Sequence, residues 1–150
     1  MRVRAVVAIT ALITLVEPVC AQTRVEYIGG TSRALKNGTD GQIDLTDNRY
    51  LAFYGDDCQM RIAYDQINLV EYGQQVDRRL MLALLISPVF LLSKARKHYL
   101  TVGFEDEGGA QQALVFRVNK DNIRAALASL EARTGLKVSY TDQEARKAGN

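Results

Sequence analysis

The chain has no tryptophan, one histidine, two prolines and two cysteines in 150 residues. A lone imidazole, His98, leaves no Cys/His cluster with metal-ligand spacing, so the common zinc sites are excluded. A nucleophile needs a base within reach and a group to orient it, and His98, between Lys97 and Tyr99, has no distinctive Ser or Cys context. It reads as a structural histidine. Charge of one sign is lacking too: 19 Lys and Arg face 17 Asp and Glu, which excludes the strongly basic face that nucleic-acid binding asks for. The glycines are scattered through turns instead of forming a phosphate-cradling loop. Asp40, Asp44, Asp47, Asp56 and Asp57 fall in or beside turns, where Asp is favoured for its local hydrogen bonds. Lys36 and Gly38 stand where a calcium loop would need its first two side-chain ligands. The expectation is a protein that is not an enzyme, with no catalytic, cofactor-binding or metal-binding residues.

Two apolar runs are present instead. The first lies in residues 1–21, where Arg2 and Arg4 precede an apolar stretch over 5–16 and Val19-Cys20-Ala21 supplies a cleavage site, the pattern of a secretory signal peptide. Glu17, Pro18 and Val19 before Cys20 do not match a lipidation signal. Export to the periplasm or the medium is expected, with residues 22–140 as one domain. Only Cys58 survives cleavage, so no intrachain disulfide forms and stability must come from the core.

The second run organises the chain. Residues 80–92 are thirteen positions without a charge, ten of them large and apolar. At about 1.5 to 3 kcal/mol per buried side chain, leaving them in water would forgo on the order of 15 to 30 kcal/mol, more than a small domain's whole stability. As a helix the run would reach about 20 Å, short of the roughly 30 Å of a bilayer's hydrocarbon. Pro88 bends it into two short arms, neither with a polar face. The flanks are basic: Arg78 and Arg79 before, Lys94, Arg96 and Lys97 after. The cover is open between the protein's own sheet, a partner chain or second copy, and a membrane surface, where each cation adds about 1 kcal/mol. The expected contact set is Arg78, Arg79, Leu82, Leu85, Ile86, Val89, Phe90, Leu91, Lys94, Arg96 and Lys97.

Elsewhere, turn residues punctuate period-two segments. Strands are expected over 24–28, 42–46, 50–54, 58–64, 67–76, 98–105 and 111–118, with an extended stretch over 136–140. The period changes once. Asn119 or Asp121 can cap a helix to about Arg133, with Ile123, Ala126, Leu127 and Leu130 as its apolar stripe and Gly135 as its C-terminal stop. Residues 141–150 read as a disordered polar tail. The fold expected is mainly β: a bent antiparallel sheet or partial barrel of about seven strands, capped by that helix, with the apolar insertion between strands five and six.

The segment Gly41-Gln42-Ile43-Asp44-Leu45-Thr46-Asp47-Asn48-Arg49, with Ile62, Ile67 and Val70 following, resembles the GRAM branch of the pleckstrin-homology-like superfold. There a glycine-started strand ends in a Thr-x-x-Arg turn and a later strand carries spaced aliphatics. The likeness spans residues 41–71 and concerns turn and core positions, so it implies a fold more than an activity. The functional expectation is an exported binding or structural module that presents residues 78–97 to a membrane surface or protein partner. The alternative is a small carrier that encloses a lipid or other hydrophobic ligand in an internal cavity.

Overall fold

The computed structural model describes residues 22–76 and 97–149. The signal-like segment and all but Lys97 of the expected contact set lie outside the described residues. Period-two patterning becomes eight strands: β1 (Gln22–Gly30), β2 (Thr39–Asp44), β3 (Tyr50–Gly55), β4 (Gln59–Ala63), β5 (Ile67–Gly73), β6 (His98–Glu105), β7 (Gln111–Val118) and β8 (Ser139–Tyr140). They form one open sheet in the order β4-β3-β2-β1-β7-β6-β5-β8. Strand β1 joins two antiparallel halves, β2 on one edge and β7 on the other, and β8 adds a parallel pair to β5.

Local chemistry sets the turns. Asp47 Oδ1 accepts from the Arg49 and Tyr50 amides at 2.7 and 3.1 Å, closing the β2–β3 connection. Asp106 Oδ1 accepts from Gly108 and Ala110 in the β6–β7 hairpin, and Gly109 takes the positive φ of 78° that a side chain would resist. Those amide bonds, that of Ala110 foremost, together with the Gln112 side chain, hold the Asp106 carboxyl below its usual value.

The helix α1 (Lys120–Thr134) begins where Asn119 accepts from the Asp121 amide at 3.0 Å, and it stops at Gly135, whose φ is 73°. Ile123, Ala126, Leu127 and Leu130 turn inward, so one helix closes the sheet's inner face. There they meet Val25, Tyr27, Phe53, Leu100 and Phe116 in one cluster. The Tyr27, Phe53 and Phe116 rings lie 5.2 to 6.5 Å apart, in the range of favourable tilted and edge contacts. Arg133 donates to Asp47 O at 2.8 Å and to Asn48 Oδ1 at 3.1 Å, clamping the end of the helix to the β2–β3 turn. Close approach dictates Gly30: a Cβ there would sit 2.3 Å from the Ala113 carbonyl and 2.8 Å from the Tyr27 hydroxyl.

The mainly β architecture with its helix after β7 is as expected, with β6 and β7 at the expected bounds. The differences have local or tertiary causes. Strand β2 starts earlier than expected because Thr39 and Asp40 already pair with Tyr27 and Glu26 of β1, and it ends earlier because Asp44 Oδ1 accepts from the Thr46 amide and hydroxyl at 2.8 and 2.7 Å, turning the chain there. Tyr64 belongs to a 3-10 turn (Tyr64–Gln66) instead of ending β4. The chain after Thr141, expected to be disordered, forms a helix, α2 (Gln143–Gly149). Its anchor is tertiary: the Thr141 amide donates to Tyr72 O at 3.1 Å, and Asp142 Oδ2 accepts from the Gln74 amide at 2.7 Å.

Candidate functional site

Strand alternation gives the sheet a second, outer face, and its two halves differ. On β2, β3 and β4 that face carries Asp40, Gln42, Tyr54, Gln59 and Arg61, all exposed, around a buried Ala52. This is the dry-in, wet-out alternation of an antiparallel sheet covered on one side. On β1, β7 and β6 it carries Ile28, Ala113, Val115, Tyr99 and Thr101, with relative exposures of 0, 5, 0, 4 and 2%. None of these five belongs to the inner cluster. Strand β6 is buried at every residue from His98 to Phe104, a pattern that requires cover on both faces.

Among the described helices, α1 supplies the inner cover and α2 packs on α1, β5 and β8. The contacts of α1 with β6 and β7 are on the inner face, through Leu100, Val102, Leu114 and Phe116. The buried half of the outer face is the feature that sequence reasoning missed. Its signal was present in Ala113-Leu114-Val115-Phe116, apolar on both parities, and in Tyr99 and Thr101 alternating with Leu100 and Val102.

Where the two halves meet, Glu26 and Arg117 pair across β1 and β7 as an ion pair, with side-chain exposures of 14 and 33%. Beside them opens a cleft of about 1050 Å³. Its walls include Arg24, Gln42 and Tyr54 from the outer face, Lys97 and His98 at the start of β6, and Lys120 at the start of α1. Lys97 is the one expected contact residue that the structure describes. It is partly buried and sits at the rim where the polar cleft gives way to the apolar patch.

The mount of the insertion is stiff. Gly73 at the end of β5 pairs with Tyr99 near the start of β6, so the chain leaves and returns on neighbouring strands. Next to that pair the Tyr72 hydroxyl and His98 Nδ1 are 2.8 Å apart, with their rings stacked at 5.5 Å and Tyr140 edge-on to Tyr72 at 6.3 Å. Burial, with smaller contributions from Asp142 and Tyr140, pushes the Tyr72 phenol up to about 12, so it is neutral at physiological pH. His98 therefore has its Nδ1 engaged in a buried ring pair at the root of the insertion. Val76, three residues past β5, is buried as well.

Among the described residues, no three of His, Cys, Asp and Glu come together as a metal-binding group. No helix among them is long and apolar enough to cross a membrane. Cys58, a free thiol, is partly buried against the inner cluster at the β3–β4 turn. No family model and no curated protein matches the chain.

Proposed function

We propose that the protein is an exported, non-enzymatic binding module whose sheet carries residues 78–97 to a membrane surface or protein partner, the basic flanks favouring the membrane. The architecture behind this reading is the pleckstrin-homology-like one, in its GRAM branch. Its support is the strand order β4-β3-β2-β1-β7-β6-β5, the helix after β7, and the Thr46-to-Arg49 turn that Arg133 clamps.

One observation carries the functional reading. Gly73 pairs with Tyr99, so the chain that holds residues 80–92 runs between two neighbouring strands, β5 and β6, which are anchored in the inner core through Val70, Tyr72, Leu100 and Val102. Residues 80–92 bring ten large apolar side chains to this place in the chain, between basic ends. A run with no polar face needs apolar contact all round. Arg78, Arg79, Lys94, Arg96 and Lys97 at its ends suit an anionic surface, at about 1 kcal/mol for each cation near it.

Flotation on vesicles containing phosphatidylglycerol tests this. The full chain is expected to float, and a chain with residues 80–92 replaced by a Gly/Ser linker is expected to stay in the dense fraction. Equal behaviour of the two removes the membrane reading. The partner reading then requires the same replacement to lower the mass measured by light scattering, and an unchanged mass removes that too.

A further inference from the structure

We propose that the polar cleft beside the start of α1 is a binding site for a small phosphorylated ligand, with a multiply charged phosphate head at the α1 end and a ring-bearing, uncharged body toward β3. The site is separate from the membrane or partner contact and shares only Lys97 with it. Three observations lead there.

The first is convergence of charge. Val118 pairs with both Val25 and His98, so the start of β1, the residue before β6 and the first residue of α1 meet at one end of the cleft. Each brings a cation into the wall: Arg24, Lys97 and Lys120. The carboxylate on β1, Glu26, is taken by Arg117. None of the three cations has an ion-pair partner among the described residues. Like charges lining a concave wall repel one another and focus their field into the cleft, and an anion relieves both. Cations that arrive from three elements suit a tetrahedral group, with oxygens pointing several ways, better than a planar carboxylate.

The second is the helix itself. The positive pole of α1, a helix of fifteen residues, starts at the same end. Its Asp121 and Asn122 amides are already engaged by Asn119, at 3.0 and 3.3 Å. The helix therefore adds its field and Lys120, and direct contact with a phosphate falls to the three side chains. Asp121, the acid of the first turn, lines a separate hollow with Gln22 and Arg124.

The third is polarity across the strands. Arg24 pairs with Gln42 and Gln42 with Tyr54, so an amide and a ring continue the line from the cations over β2 to β3. At the usual strand spacing Arg24 and Tyr54 are about 10 Å apart. Among the described residues Tyr54 is the one large apolar side chain left exposed. Asp40 and Asp56, both exposed, also line this part of the cleft. They repel a second anionic group and accept from a hydroxyl or an amine, which sets the direction of the ligand. The volume of about 1050 Å³ has room for head and body together.

The experiment is titration calorimetry on the full chain, without vesicles and at low salt, with pyrophosphate as a bare head and adenosine diphosphate as a head with a ring. Both are expected to bind. Arg24→Gln combined with Lys120→Gln is expected to weaken both by about tenfold or more. Arg33→Gln combined with Lys137→Gln removes the same charge from exposed positions outside the cleft and is expected to leave both unchanged. All four positions are on the surface, and circular dichroism checks that the variants fold. No binding of either probe at millimolar concentration overturns the proposal, as does an equal loss in the two double variants. Citrate binding where pyrophosphate does not overturns the phosphate head.

A second variant tests the body. Tyr54→Ala is expected to weaken adenosine diphosphate by about fivefold or more while pyrophosphate holds within about twofold. Equal effects on the two probes, whether loss or none, overturn the placing of the ring on Tyr54.

Discussion

The two halves of the outer sheet face are built from the same kind of strand and behave oppositely. On β2, β3 and β4 the outward side chains other than Ala52 are open to water or half so; on β7 and β6 Ala113, Val115, Tyr99 and Thr101 are shut away from it. Alternation alone cannot produce the second pattern, because a strand that is dry on both parities needs two covers. The difference marks a second dry region outside the inner core. It lies beside the strands from which residues 77–96 depart and return.

The sharpest way to break the comparison is to place a charge on each half. Val115→Asp buries a carboxylate without a partner and is expected to cost about 3 kcal/mol or more in denaturant unfolding, if the domain folds at all. A loss under about 1 kcal/mol would mean that the covered half is wet, and would end the distinction.

Alkaline titration gives the next largest effect and reports on dryness from both faces. Burial raises the Tyr27 phenol to about 12, as it does that of Tyr72, and it also pushes up Tyr99 on the outer face. A raised pKa in the folded state means that the proton is held more tightly there, so the stabilisation is complete below pH 10. It is lost as pH climbs through 12, on the order of 2 to 3 kcal/mol for each of Tyr27 and Tyr72. Denaturant melts between pH 9 and 12 should show this slope, and Tyr27→Phe should flatten it. A flat profile in the parent chain would contradict the packing around both rings. In the same spirit, nitration at neutral pH should modify Tyr54, 36% exposed, at least tenfold faster than Tyr99, 4% exposed.

Smaller effects set the baseline. Asn119→Ala removes the cap of α1, the helix that covers the inner face, and is expected to cost about 1 kcal/mol. Arg61→Ala, on the wet half, is expected to change stability by no more than about 0.5 kcal/mol. If that substitution instead cost as much as the cap, the exposed half would have to be a contact surface as well.

Much of the fold could be read from the chain before any coordinates. The hairpin of β6 and β7 and the start and stop of α1 are encoded by nearby residues: Asp106 and Gly109 at the turn, Asn119 and Gly135 at the helix ends. What escaped has its cause far away in the sequence. The order beyond Thr141 comes from Tyr140 packing on Tyr72 and Asp142 reaching the Gln74 amide, neither of which leaves a local mark. The site was legible only in part. The apolar run and its basic ends stand out by composition, whereas the dry outer face of β6 and β7 is hidden by the habit of assigning one buried face to each strand. Ala113, Val115, Tyr99 and Thr101 look unremarkable until their neighbours across the sheet are known.

The absence of tryptophan from the chain makes the most direct test simple, because Leu85→Trp and Phe90→Trp each introduce the sole indole. With phosphatidylglycerol vesicles added, the account predicts that emission from at least one of the two moves to shorter wavelength and is quenched by brominated acyl chains, while a chain carrying Arg61→Trp shows neither change. Emission from positions 85 and 90 that stays the same at saturating lipid would contradict the claim that this segment is the element by which the protein meets a membrane.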